Sequence, residues 1–410
     1  MSSSEKKELK GIALQRLQDI EMKMSRAELA DFYRNGLLED IIPFWFPRSV
    51  DRESGGYFTC LNRDGSLMQS DKAVWFQGRM AWMLATLYNS MEQREQWLVD
   101  ARSGVEFLSK HCFDVDGRMF YSVTAEGKPL RKRRYLFSEC FAIIAFAAYG
   151  RASGETAYIE RAQELFRLVL KYNRMPGLLE PKVNPQVRPS KGLAMPMILL
   201  VTAQELRKLS GLSLCDEVIR ECIDEIGRDF FKPELSAVLE MVGPNGEFID
   251  TLDGRCLNPG HSIEAGWFIL EEARVRGGDE ELIRLGTQII DSALQWGWDA
   301  EHGGMFYFRD VRNLPCTEYW HDMKFWWPHN EALIATLLAW ELTGDERYWK
   351  WHERVREWAY AHFPDREHGE WYGYLHRDGS VSTPVKGTMF KGFFHIPRMN
   401  FTCWEILSRK

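Results

Sequence analysis

No run of eighteen apolar residues occurs anywhere in the 410-residue chain, so no membrane-spanning helix is expected. The opening residues, Met1-Ser2-Ser3-Ser4-Glu5-Lys6-Lys7-Glu8, hold no apolar core of a secretion signal. The eight cysteines are scattered and form no Cys-x-x-Cys pair. In a chain of this length that scatter reads as reduced thiols in a cytoplasmic protein. Positive charge is in deficit: 52 Lys and Arg stand against 59 Asp and Glu, a net charge of −7. This excludes a general nucleic-acid binder, which needs a basic patch. The glycine fingerprints of dinucleotide and phosphate loops are missing. So are His-Glu-x-x-His and the Gly-x-Ser-x-Gly elbow, and no catalytic metal or serine nucleophile is expected. No Pro/Gly/Ser-rich linker divides the chain. Residues 1–24 read as a polar leader or short helix, and 25–410 as one domain.

What is present is a repeat. Hydrophobic content of 45% allows a sizeable core, and 16 tryptophans suit a concave, ring-binding interior as well as a large core. Gly55-Gly56-Tyr57-Phe58 opens a hairpin signal, followed by an apolar segment (Val74 to Asn89) and an amphipathic one (Gln93 to His111). The order recurs six times, with marker glycines at 55, 117, 177, 246, 303 and 369, separated by 62, 60, 69, 57 and 66 residues. A near-constant period signals a repeat architecture. A helix apolar on all sides must be buried on all sides, and an amphipathic partner covers it. Six buried and six outer helices, with Ser25–Ile41 as the outer partner of the last, predict an all-α (α/α)6 barrel with short β-hairpins at one end. An open solenoid is the competing arrangement, but its end units should be polar caps. The last apolar segment, Phe390 to Leu407, is as apolar as the middle ones and favours closure.

Polar residues recur where each hairpin enters a buried helix. They are Arg79, Glu139, His261 with Glu264, Glu331 in Trp326-Trp327-Pro328-His329-Asn330-Glu331, and His395 with Arg398. Taken singly, Ser262 and Asn330 read as helix caps, and Glu139, Glu264 and Glu331 as first-turn partners of the helix dipole. Five junctions carrying such groups would converge on one end of a closed barrel, where unpartnered polar groups are costly. A shared site follows. Two imidazoles suit removal of a proton from one face of an acidified carbon and its return from the other. Arg79 and Arg398 would hold the resulting oxyanion. Glu331 would bind hydroxyls or orient a histidine, and Trp267, Trp326 and Trp327 would stack on a sugar ring.

Five stretches together resemble the N-acylglucosamine 2-epimerase family, also called renin-binding proteins. They are Trp75 to Arg79, Phe137 to Cys140, Pro259 to Trp267, Lys324 to Ala332 and Phe390 to Arg398. The resemblance implies an (α/α)6 barrel that interconverts N-acetylglucosamine and N-acetylmannosamine by proton exchange at C2 of the open-chain aldose. It implies His261 and His395 as the acid/base pair, with Arg79, Glu331 and Arg398 as essential site residues; Glu139, Glu264 and the three tryptophans are the expected substrate contacts. No cofactor is implied. ATP or a related nucleotide would act as an effector, and a homodimer is the expected assembly. The basic stretch from Lys182 to Lys191, with Arg188 and Lys191, is where an effector is expected, an ordinary solvated loop being the alternative. Vertebrate members carry more cysteine near the last motif, where this chain has Phe393 and Met399 and keeps Cys403, so no catalytic cysteine is expected. Competing functions are an epimerase or isomerase of mannose, glucose or cellobiose, a glycosidase using two of Glu139, Glu264 and Glu331, and a non-catalytic binding protein.

Overall fold

Twelve α-helices of ten or more residues, with shorter helical turns and a set of short antiparallel strands, make up a computed structural model that describes residues 24–132, 135–181 and 183–409. The expected leader, except Met24, lies outside the described residues. The helices are α1 (Arg26–Asn35), α2 (Val74–Ser90), α3 (Glu95–His111), α4 (Phe137–Ser153), α5 (Thr156–Arg174), α6 (Ala194–Ser210), α7 (Leu214–Glu225), α8 (Pro259–Val275), α9 (Glu280–Gly297), α10 (Trp326–Thr343), α11 (Glu346–His362) and α12 (His395–Ser408). Even-numbered helices form the inner ring and odd-numbered ones the outer ring. The sequence dictates the sorting. α10 is buried without interruption from Trp326 to Ala339. α11 buries only Tyr348, His352, Val355 and Ala359, a single stripe at helical spacing.

Ends are set by local chemistry. Ser25 and Glu28 make a reciprocal capping box on α1. Asp279 and Asp345 cap α9 and α11. Gly154, Gly211 and Gly344 adopt the left-handed conformation that ends α4, α6 and α10.

Every inner helix touches the next around a complete circuit, α2–α4–α6–α8–α10–α12 and back to α2. α1 packs on α12, as its assignment to the last unit requires. The Arg26 guanidinium fastens that seam, donating to the carbonyls of Leu407 (2.9 Å) and Ile406 (3.0 Å). Arg63 crosses it at the hairpin end, pairing with Asp365 at 2.8 Å. The closed barrel therefore replaces the open solenoid.

The hairpins do more than decorate one end. The strand entering an inner helix pairs with strands of the next unit: Lys72–Ala73 with Phe120–Val123, Cys256–Leu257 with Arg309–Asp310, and Lys324–Phe325 with Tyr374–Leu375. Under two of these strands a buried lysine pins a glycine turn. Lys72 Nζ donates to Asp51 (2.7 Å) and to the Gly55 carbonyl (2.7 Å), and Lys324 Nζ to Asp299 (3.0 Å).

Two expectations need correction. Met175-Pro176-Gly177-Leu178-Leu179 is a turn, not a third hairpin. The last inner helix begins at His395, five residues later than Phe390. Pro397 explains this, because its ring would clash with the carbonyl four residues back, at Phe393, in a longer helix. The segment before it turns instead. Thr388 Oγ1 accepts from the amides of Phe390 and Lys391, and Lys391 is buried with its ammonium on Glu370 at 2.7 Å.

Candidate active site

The inner helices all begin at the hairpin end, and a cavity of about 810 Å³ opens there among their first turns. Arg79, His261, Glu264, Trp326, Trp327, His395 and Arg398 all face it. Elements far apart in sequence supply them: α2, α8, α10 and α12.

His395 is the first residue of α12. Its Nδ1 lies 2.8 Å from Oε1 of Glu331, which is fully buried on α10 and stands behind the imidazole. The carboxylate accepts, so Nδ1 carries the hydrogen and Nε2 is left with its lone pair. Glu331 is also held by Arg398 Nη2 (2.7 Å) and by the Trp267 indole N–H (2.9 Å). Arg398 Nη2 donates to Glu264 as well, at 2.6 Å. Burial pulls the His395 pKa well below its ordinary value, and the neighbouring charges of Arg398 and Arg79 pull the same way. His395 is a neutral imidazole.

His261 sits in the first turn of α8, where Asn258 accepts its backbone N–H at 3.0 Å and Pro259 starts the helix. Its Nδ1 donates to both oxygens of Glu240, at 3.0 and 3.1 Å. Burial lowers its pKa, but the charge and hydrogen bond of Glu240, with help from Glu264, outweigh this and raise it overall. His261 therefore favours the imidazolium. Both histidine rings rest against Trp327, with centroids 5.2 Å and 5.8 Å from its ring. They are no further apart than those two distances laid end to end.

Arg79 is held by aromatic faces. Its guanidinium lies 4.2 Å from the centre of the Phe141 ring and 4.5 Å from that of Phe394. Its Nε finds no acceptor among the described residues. The same holds for Nε of Arg398 and for the indole N–H of Trp326. Burial draws the Arg79 pKa down to about 9, so it stays a cation at neutral pH.

Other expected residues fall elsewhere. Glu139 does not reach the cavity: its Oε1 accepts from Arg118 Nε (3.1 Å) and from the Met119 amide (2.9 Å). Gln77 and His329 do the same job in their units, accepting from the amides of Tyr57 (2.7 Å) and Met305 (2.8 Å). These three brackets bind each hairpin to its inner helix. Trp267 also stands behind the cavity, donating to Glu331, instead of stacking on a ligand. Arg188 is exposed, and Lys191 is already paired with Glu225 (2.8 Å) and Asp229 (2.5 Å). Cys403 is buried on α12, and burial pushes its thiol far up, away from nucleophilic use. Glu264, Glu331 and His395 place ligand atoms within 4.8 Å of one another, but the Arg398 guanidinium bonds both carboxylates and supplies the positive charge there.

Glu240 was not singled out from the sequence. Its one signal is a lone carboxylate in an apolar run, Ala237-Val238-Leu239-Glu240-Met241-Val242. Tyr307, Trp320 and Tyr374, which also line the cavity, were not singled out either; Tyr307 and Tyr374 follow the marker glycines 303 and 369, which signalled hairpins and not site residues.

The profile of the family described as N-acylglucosamine 2-epimerase (GlcNAc 2-epimerase) matches residues 56–397. The chain is 37% identical over 390 residues to an N-acylglucosamine 2-epimerase of Bos taurus, covering 90% of this chain and 89% of that one. It is 26% identical over 405 residues to a cellobiose 2-epimerase of Ruminococcus albus, covering 92% and 97%. The structure of a cellobiose 2-epimerase from Bacillus thermoamylovorans B4167 superposes with a TM-score of 0.80 at 22% identity, covering 93% and 99%, and has the same fold.

Proposed function

The chain belongs to the N-acylglucosamine 2-epimerase family, and we propose that it interconverts N-acetylglucosamine and N-acetylmannosamine by moving a proton at C2 between two histidines. It is an isomerase. One observation carries the mechanism: two imidazoles, each backed by its own carboxylate, meet one cavity across the same indole.

In the open-chain aldose C2 is next to the aldehyde, so its proton is acidic. His395, neutral and with Nε2 unprotonated, takes the proton from one face. The electron pair moves onto the aldehyde oxygen, and an enediol-type anion forms. Arg79 faces the cavity as a cation, and it stabilises that oxygen. His261, charged by Glu240, delivers a proton to the opposite face. Glu331 keeps the His395 tautomer and stabilises the imidazolium that forms. For the reverse epimer the two histidines exchange roles, so the active form is the pair carrying one proton. A glycosidase needs two carboxyl groups flanking a glycosidic bond. Here Glu264 and Glu331 are both tied to Arg398, and Glu139 is bound to Arg118, which leaves no such pair.

The test is to incubate the protein with N-acetylmannosamine in D2O and follow C2 by NMR. Deuterium enters at C2 as the second epimer appears. Absence of exchange with this sugar and with glucose, mannose and cellobiose overturns the reading.

A further inference from the structure

The cavity is lopsided. On α10 and α12 it ends within the first turn, at Trp327 and Arg398, whereas on α8 it runs down to Phe268. On the side of α6 it continues from Ala194 down to Glu205. Eleven residues of helix correspond to a depth of about 16 Å. The deep part is apolar, walled by Ile144, Met197, Ile198 and Val201. Its few polar groups are already engaged: Thr202 Oγ1 donates to the Ile198 carbonyl (2.7 Å), and Glu205 accepts from the Trp82 indole at 3.1 Å. Protein interiors are otherwise close-packed, and an apolar recess costs stability in proportion to its volume. About 810 Å³ is also well above what one monosaccharide fills. The third unit, which supplies α6, is also the one that brings no His, Arg or Glu to the junction ring.

We infer that this recess is an acyl chamber: Ile144, Met197, Ile198 and Val201 receive the alkyl part of the substrate's N-acyl group and set which acyl lengths are accepted. The inference rests on the proposed epimerase reading. With C2 held at His261 and His395, the hydroxyls meet the polar wall of α8, α10 and α12. The acyl alkyl group hangs from the nitrogen on that same carbon and is the substrate's one apolar appendage. Placing hydroxyls on the α6 wall would strand them without partners. The depth leaves room for chains longer than acetyl.

The experiment measures kcat/KM for N-acetyl-, N-butanoyl- and N-hexanoylmannosamine, with C2 deuterium exchange as an independent readout. The wild type turns over the butanoyl sugar at least as efficiently as the acetyl sugar. Ile198→Trp fills the chamber and lowers the butanoyl-to-acetyl ratio on the order of tenfold or more. Val201→Ala, which cannot overpack, raises the hexanoyl-to-acetyl ratio. A wild type that refuses the butanoyl sugar, or ratios unmoved by folded variants, overturns the chamber while leaving the epimerase standing. Absence of C2 exchange with every N-acylmannosamine overturns the epimerase reading, and the chamber falls with it.

Discussion

His261 and His395 occupy matching first turns of two inner helices and lean on the same indole, yet their surroundings shift their pKa values in opposite directions. Each has a carboxylate on Nδ1. The difference lies behind the carboxylate. Glu331 is fully buried and bonded by Arg398, so its negative charge is already answered, and the two guanidiniums nearby repel a proton from His395. Glu240 pairs with no arginine among the described residues, and its charge is spent on His261. One fold thus makes a base and an acid from the same side chain by choosing the partner of the partner.

Removing either ring is the strongest way to break the comparison. His395→Asn and His261→Asn each lower C2 exchange by about a thousandfold or more, with the helical circular dichroism unchanged. Full exchange in either variant removes that residue from the mechanism.

Next comes Glu331→Gln. It keeps the shape but leaves Arg398 with one fewer carboxylate and His395 with a neutral amide in place of a charged acceptor. The expected loss is about a hundredfold in kcat, with a smaller change in KM, because Glu331 stands behind the imidazole and does not face the cavity.

The pH profile sharpens the comparison. The active form has His395 neutral and His261 protonated. Activity therefore falls as pH drops through the His395 value, which lies well below 6.5, and as pH rises through the His261 value, which lies above 6.5. The profile is a broad bell. Glu240→Gln removes the groups' raising influence on His261, so the alkaline limb moves to lower pH and the bell narrows from that side only. At neutral pH the loss is about tenfold. A shift of the acid limb instead would reverse the assignment of acid and base.

The smallest catalytic effect is expected of Glu139→Gln. It costs about 1–3 kcal/mol of stability by weakening a buried charged bracket, measured by chemical denaturation, with kcat close to wild type. A large drop in kcat at full stability would return Glu139 to the active site.

Glu139 also shows where a sequence misleads. Glu139 and Glu331 each stand in the first turns of an inner helix, at the ring of junctions. Which of them turns toward the axis depends on a few tens of degrees of helix rotation. The hairpin amide of Met119 captures Glu139, and that of Met305 captures His329, so neither reaches the cavity. Pro397 carried its message openly: a proline so close to the apolar segment's start forbids a helix beginning at Phe390.

Hydrophobic periodicity and the spacing of glycines by themselves determined six helix pairs, their inner and outer sorting and the ring of junction residues, because burial on all sides and burial on one stripe leave different patterns in a linear chain. His261, His395, Arg79 and Arg398 could be named from that ring. Only the tertiary structure decided that Glu240 serves His261, that Glu331 and Trp267 stand behind the reacting groups, and that α6 opens a deep apolar recess. Those facts depend on hydrogen bonds and voids between elements that lie tens to hundreds of residues apart, and a distance across the barrel axis leaves no periodic trace in the chain.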